Sequence, residues 1–98
     1  MAGPLTLRLL TREGVAHETD AVSIIAPGEL GYLGILRHHA PLVTTLKPGT
    51  LSWRTSWQRA PSTARIGAGL LEVVRDQVTI LTEALTISPS PTESAHVR

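Results

Sequence analysis

Gly28-Glu29-Leu30-Gly31-Tyr32-Leu33-Gly34-Ile35-Leu36-Arg37-His38-His39-Ala40-Pro41-Leu42 is the stretch on which the fold turns, and Lys47-Pro48-Gly49 follows shortly after. Glycines, a histidine pair and a proline in so short a run exclude a regular helix, since glycine costs about 1 kcal/mol and proline about 3 kcal/mol in a helix interior. Leu30, Leu33, Ile35, Leu36 and Leu42 are too much apolar mass for a loose loop. The segment therefore reads as short strands joined by tight turns, some with a backbone at φ > 0 where glycine fits at little steric cost. A stretch that is both oily and turn-rich is either packed on its own domain or offered to a partner.

The flanking sequence has period two. Leu5, Leu7 and Leu9 alternate with Thr6 and Arg8, predicting a strand over 5–10, with Arg12-Glu13-Gly14 as a turn and a second strand near 15–19. Val22, Ile24 and Ala26 give a third strand that stops at Pro27-Gly28. Leu51, Trp53, Thr55 and Trp57 share one face of a strand that starts after Pro48-Gly49. Gln58 to Ser62 is a turn, and Thr63 to Ile66 a short strand. Leu70–Val74 and Val78–Leu81 flank a hairpin turn at Arg75-Asp76-Gln77, and Glu83 to Ile87 can add a last strand. Gly69 to Glu83 loosely fits helical spacing, but Val73, Val74, Val78, Thr79, Ile80 and Thr82 weigh for a sheet. The expected fold is all-β, a single sandwich of about eight to ten short strands over residues 1–87. Residues 88–98, rich in serine and proline, read as a disordered tail.

Composition narrows function. Ninety-eight residues support one domain with a thin core. A net charge of +1 and only three aromatics, Tyr32, Trp53 and Trp57, argue against nucleic-acid binding. There is no cysteine, so disulfides and thiolate metal sites are excluded. Arg8 interrupts the first apolar run, which does not read as a signal peptide, and no apolar stretch reaches membrane-helix length. A soluble cytoplasmic chain is expected, with any membrane association supplied by a partner.

No motif carries catalysis. Gly67-Ala68-Gly69 lacks a third glycine, because position 72 is Glu72, so a close-packed strand entry is the better reading than a dinucleotide loop. His38-His39 has no carboxylate beside it on its C-terminal side, and adjacent strand residues point to opposite faces, so a turn-stabilising role is favoured over a metal site. Glu13, Glu18, Glu29 and Glu72 are scattered. Neither cofactor nor metal is expected.

Several runs in order carry a resemblance: Thr11-Arg12-Glu13-Gly14, then Gly31 through Leu42 ending His39-Ala40-Pro41-Leu42, then Leu46-Lys47-Pro48-Gly49-Thr50-Leu51, Gly67 through Val73, and Val78-Thr79-Ile80-Leu81. Together they resemble the N-terminal β-sandwich domain of the epsilon subunit of rotary F-type ATP synthases, over about residues 5–87. The resemblance implies a non-catalytic rotor subunit of the central stalk. It would bind the gamma subunit and the c-ring at the cytoplasmic face of the bacterial inner membrane, as a peripheral part of the F1 sector. The implied ring-facing residues are Glu29, Leu30, Gly31, Tyr32, Leu33 and His39, and the implied gamma-facing ones are Leu42, Val43 and Leu71. Tyr32 stands where the family has an acidic residue, so the ring contact runs through Glu29 or is apolar. Arg37-His38 replaces Pro-Gly, and Leu70 an aromatic residue. The family usually continues into a C-terminal helical hairpin that inhibits hydrolysis and in some members binds ATP. Here a Ser/Pro tail follows, which reads as a short form without that mode of inhibition. The rival reading is a free-standing β-sandwich binding module, favoured if Trp53 and Trp57 form an exposed stripe.

Overall fold

The computed structural model describes residues 4–88. The expected tail therefore lies, beyond Ser88, outside the described residues. Ten strands form: β1 (Leu5–Thr11), β2 (Gly14–Ala21), β3 (Ser23–Gly28), β4 (Gly31–Ile35), β5 (Leu42–Leu46), β6 (Gly49–Arg54), β7 (Ser62–Ile66), β8 (Gly69–Val74), β9 (Gln77–Thr82) and β10 (Leu85–Ile87). Among the described residues there is no helix. The all-β expectation holds, and the ambiguous Gly69–Glu83 segment is the β8–β9 hairpin.

The ladder runs β10-β7-β6-β3-β5-β8-β9-β1-β2, with β4 added along β3. It curls on itself, so β2-β1-β9-β8-β5 and β10-β7-β6-β3-β4 act as two layers around one core. Alternation decides which side chains enter that core. Leu5, Leu7 and Leu9 of β1, Ile24 and Ala26 of β3, Leu51 and Trp53 of β6, Leu71 and Val73 of β8, and Val78 and Ile80 of β9 are all buried in a single cluster.

The layers are joined through β3. Its first half, Ser23 to Ile25, pairs with β6 from Arg54 to Ser52, and its end pairs with β5 through Gly28 and Leu46. Pro27 sits at the hand-over. Its carbonyl accepts the Lys47 N–H at 2.8 Å, while neither β5 nor β6 forms a rung with it. The N–H that proline lacks is not needed there. The third strand thus ends at Gly28, within the Pro27-Gly28 stop expected of it.

Two differences have local causes. The β6 strand ends at Arg54, so Trp57 lies in the following turn rather than on the strand face with Trp53. Also, β1 pairs with β9 in parallel, Thr6 opposite Gln77 through Leu10 opposite Leu81. Periodicity shows that a strand exists but not which strand it meets. The hairpin turn falls where expected but is two residues, Arg75-Asp76, because Gln77 already pairs with Val74; both φ angles are positive, at 50° and 64°. That is the type I′ geometry whose twist suits a two-residue hairpin loop.

Gly69 is where the sheet demands a glycine. A Cβ there would stand 2.2 Å from the Leu81 carbonyl oxygen, the close approach expected of the Gly67-Ala68-Gly69 motif. Beside it, the buried Thr82 hydroxyl lies 3.0–3.2 Å from the carbonyl oxygens of Gly67, Ala68 and Ala84, tying the β7–β8 and β9–β10 connections together.

Candidate functional site

The glycine-rich stretch folds as the β3–β4 hairpin. Glu29 and Leu30 form its two-residue tip, closed by the Gly28–Gly31 pair. Gly31 has φ 136°, a region side chains rarely enter. A Cβ on Gly28 would meet the Leu33 side chain at 2.5 Å and the Gly31 carbonyl oxygen at 2.8 Å. The tip is thus fixed by shape as well as by φ.

Glu29 anchors the tip to β5. The Glu29 N–H donates to the Thr45 carbonyl at 3.1 Å, and the Thr45 hydroxyl donates to the Glu29 carboxylate, also at 3.1 Å. Tyr32 lies across the outer face of β3, where its hydroxyl accepts the Thr50 N–H at 3.3 Å. Leu33 is half-buried and packs on the core. Leu30 is fully exposed.

The β4–β5 connection closes the site. The His39 N–H donates to the Leu36 carbonyl at 3.2 Å, and its Nδ1 lies 2.7 Å from the Ala40 carbonyl oxygen. His38 has φ 66°, and its N–H donates to Asp76 Oδ1 of the β8–β9 turn at 2.6 Å. The two histidines therefore do separate structural work. Among the described residues, no group of three His, Cys, Asp or Glu side chains could hold a metal ion.

Glu29, Leu30, Gly31, Tyr32, Leu33 and His39, the six residues singled out from the sequence, line one open cleft of about 330 Å³, with Gly28, Leu42 and Thr44 completing its wall. Leu42 therefore belongs to this cleft and packs on the core.

The second group is not brought together. Val43 points outward from β5 and is 64% exposed, but Leu71 is fully buried, so it offers no surface to a partner. The outward residue of that pair is Leu70, which lies opposite Leu81 of β9. Val43, Leu70, Glu72, Thr79 and Leu81 line a shallow groove of about 270 Å³. Leu70 and Leu81 also wall a neighbouring hollow of about 290 Å³ edged by Arg12 and Glu83. Parity held the missed signal: Glu72 belongs outside, so Leu70 does too and Leu71 goes in.

Trp53 is buried, its ring 5.6 Å from that of His17, while Trp57 is exposed on its turn. The exposed tryptophan stripe that a free-standing binding module called for is not formed.

The family model for the ATP synthase Delta/Epsilon chain beta-sandwich domain matches residues 4–87, nearly the whole described chain. The chain belongs to this ATP synthase delta/epsilon family. Its curated relatives include the ATP synthase epsilon chain of Moorella thermoacetica, 43% identical over 79 residues, which is 81% of this chain and 58% of that one. The epsilon chain of Acidithiobacillus ferridurans is 38% identical over 84 residues, covering 86% of this chain and 58% of the relative. The chain thus spans somewhat under six-tenths of the length of these relatives. A chain in the cryo-EM structure of the Euglena gracilis mitochondrial ATP synthase, comprising OSCP, F1 and the c-ring, aligns with a TM-score of 0.80 at 19% identity. That alignment covers 97% of this chain and 61% of the other. A chain of the Tetrahymena thermophila mitochondrial ATP synthase central stalk and c-ring aligns with a TM-score of 0.69 at 19% identity, covering 83% and 64%. These two likenesses establish the fold of the delta/epsilon sandwich. Among the described residues, no helix is long and apolar enough to cross a membrane.

Proposed function

We propose that this delta/epsilon-family sandwich is a non-catalytic part of the rotor of an F-type ATP synthase, peripheral to the membrane, with the β3–β4 hairpin cleft resting on the c-ring and the outer face of β5, β8 and β9 gripping the gamma subunit. The observation that carries the reading is the cleft: all six residues singled out from the sequence line it around a hairpin tip whose Leu30 is fully exposed. The family membership and the epsilon-chain relatives supply the context.

The geometry suits a load-bearing contact. The tip is pre-formed by the Gly28–Gly31 closure and the two Glu29–Thr45 bonds, so little conformational entropy is lost on docking. With Tyr32 rather than an acid at the cleft, Leu30 and Tyr32 give the ring contact an apolar character, and Glu29 is its carboxylate. The gamma-facing side uses Val43, Leu70 and Leu81, with Leu71 beneath them in the core. A stable grip of this kind needs well over ~1,000 Å² of buried surface in total.

The test is reconstitution of the rotor with Leu30→Glu and Tyr32→Ala, both at exposed positions. ATP hydrolysis is expected to persist while ion pumping driven by it falls. Unchanged coupling in both variants removes the ring-facing assignment. For the other side, Val43→Glu with Leu81→Glu is expected to abolish co-purification with the gamma subunit, and full retention removes that assignment.

A further inference from the structure

Charge is segregated along this chain in a way its net value of +1 hides. From Leu30 to Leu71 there is no aspartate or glutamate, while Arg37, Lys47, Arg54, Arg59 and Arg65 all fall there. The ladder order gathers that block. Layer β10-β7-β6-β3-β4 holds three strands from within it, and β3 and β10 likewise contain no acid. The five strands of the layer therefore carry no carboxylate, and Glu29 stands apart at the β3–β4 tip, held by Thr45. The opposite layer carries Glu18 and Asp20 on β2 and Glu72 on β8, and its Arg8 is already paired with Glu18 at 3.9 Å.

Alternation fixes what the outer face of the cationic layer presents. Leu51 and Trp53 of β6, Ala64 and Ile66 of β7, and Ile24 and Ala26 of β3 point into the core. Ser52, Arg54, Thr63, Arg65, Ser23 and Ile25 therefore point out. Small side chains make a flat floor, with Ile25 48% exposed in it and a shallow hollow of about 80 Å³ between Ile25, Arg54 and Pro61. Trp57 stands 61% exposed on the adjoining turn. The guanidinium groups donate to neutral acceptors, Arg54 to the Arg59 carbonyl and Arg65 to the Thr50 hydroxyl at 3.3 Å. Among the described residues, neither arginine has a carboxylate partner. Arg65 lies opposite Thr50, four positions along β6 from Arg54, so the two cations are roughly 13 Å apart along the strand.

We propose that this outer face of β3, β6 and β7 is a third docking surface, adjoining the hairpin cleft at Tyr32 and apart from the β5-β8-β9 groove, and that its occupant is a carboxylate-bearing segment of another protein with an apolar side chain between its acids. Arg54 and Arg65 form charge-assisted hydrogen bonds to the two carboxylates, and Ile25 and Trp57 cover the apolar side chain. A flat face with cations at its margin, Ile25 between them and Trp57 on the turn beyond Arg54 has the anatomy of a polar-rimmed interface. The inference stands on charge distribution and topology, not on the rotor reading.

The probes are two synthetic 18-residue peptides, one with Glu at seven-residue spacing around leucines and one with Gln in place of each Glu, together with phosphatidylglycerol vesicles. Binding to the full chain is followed by Trp57 fluorescence in the wild type and in Arg54→Gln/Arg65→Gln. The expected result is saturable binding of the acidic peptide that weakens as salt rises. It should also weaken by about tenfold or more in the double variant and with the Gln peptide. Equal binding of both peptides, no binding of the acidic one, or binding unaltered in a variant whose urea midpoint matches the wild type overturns the proposal. Tighter binding to the vesicles than to the peptide overturns it in favour of a lipid surface.

Discussion

Gly69→Ala tests how tightly the corner between β8 and β9 is closed. The new Cβ would lie 2.2 Å from the Leu81 carbonyl oxygen and 3.0 Å from the Thr82 Cα, both backbone atoms that no rotamer change can move aside. Restoring van der Waals contact requires the two strands to part by roughly 1 Å at a rung where the interior has no slack. Overpacking of this kind costs about 1–3 kcal/mol, and stretching the adjoining ladder bond adds about 1 kcal/mol. An expected loss of ~2–4 kcal/mol is a large part of the ~5–15 kcal/mol that holds a domain together. The control is Gly34→Ala on β4, where nothing lies within 4 Å of the added carbon and φ is likewise not positive. Urea unfolding followed by tryptophan fluorescence should show the Gly69 variant's midpoint lowered by about 1 M or more, given slopes of about 1–3 kcal/mol per molar. The Gly34 variant should stay within about 0.5 kcal/mol of the parent. Equal midpoints for the two variants would refute the close-approach argument and leave Gly69 with no packing role.

Leu71→Ala should destabilise by about 2–5 kcal/mol as a core truncation, whereas Leu70→Ala should cost little stability and weaken only gamma binding; thermal melts and pull-down separate the two. Asp76→Ala removes the acceptor of the 2.6 Å bond from the His38 N–H and places alanine at φ 64°, so a loss of about 2 kcal/mol is expected. Asp76→Asn keeps an acceptor oxygen and tolerates that φ, so it should lose less than half as much in the same denaturation assay. Thr82→Val deprives the Gly67, Ala68 and Ala84 carbonyls of their shared donor, and should cost about 1–3 kcal/mol with faster amide exchange at Gly67 and Glu83.

The strands were legible wherever one face is buried. Leu5-Leu7-Leu9 and Leu51-Trp53 alternate cleanly, because inward positions must be apolar while outward ones are free. The hairpin cleft was legible for a different reason: glycines fall where backbone approaches backbone, as at Gly28, or where φ is positive, as at Gly31. What failed is non-local. Nothing in the sequence of β1 says that it lies parallel to β9, or that Asp76 reaches His38 across 38 positions. Leu71 reads as outward because two leucines in a row leave parity to be decided by their neighbours. Trp57 reads as a strand residue because alternation continues past Arg54 although the ladder does not. The charge segregation was visible as a run without acids, but only the strand order turns that run into one side of the molecule.

The double membership of β3 has a mechanical consequence. A twisting load applied at the Glu29–Leu30 tip enters a strand bonded on one flank to β4 and, on the other, first to β5 and then to β6. Both halves of the body must then turn together, since neither can slip without rupturing the bonds of the strand they hold in common. Such a domain behaves as a single stiff cam rather than as two plates sliding on an oily film.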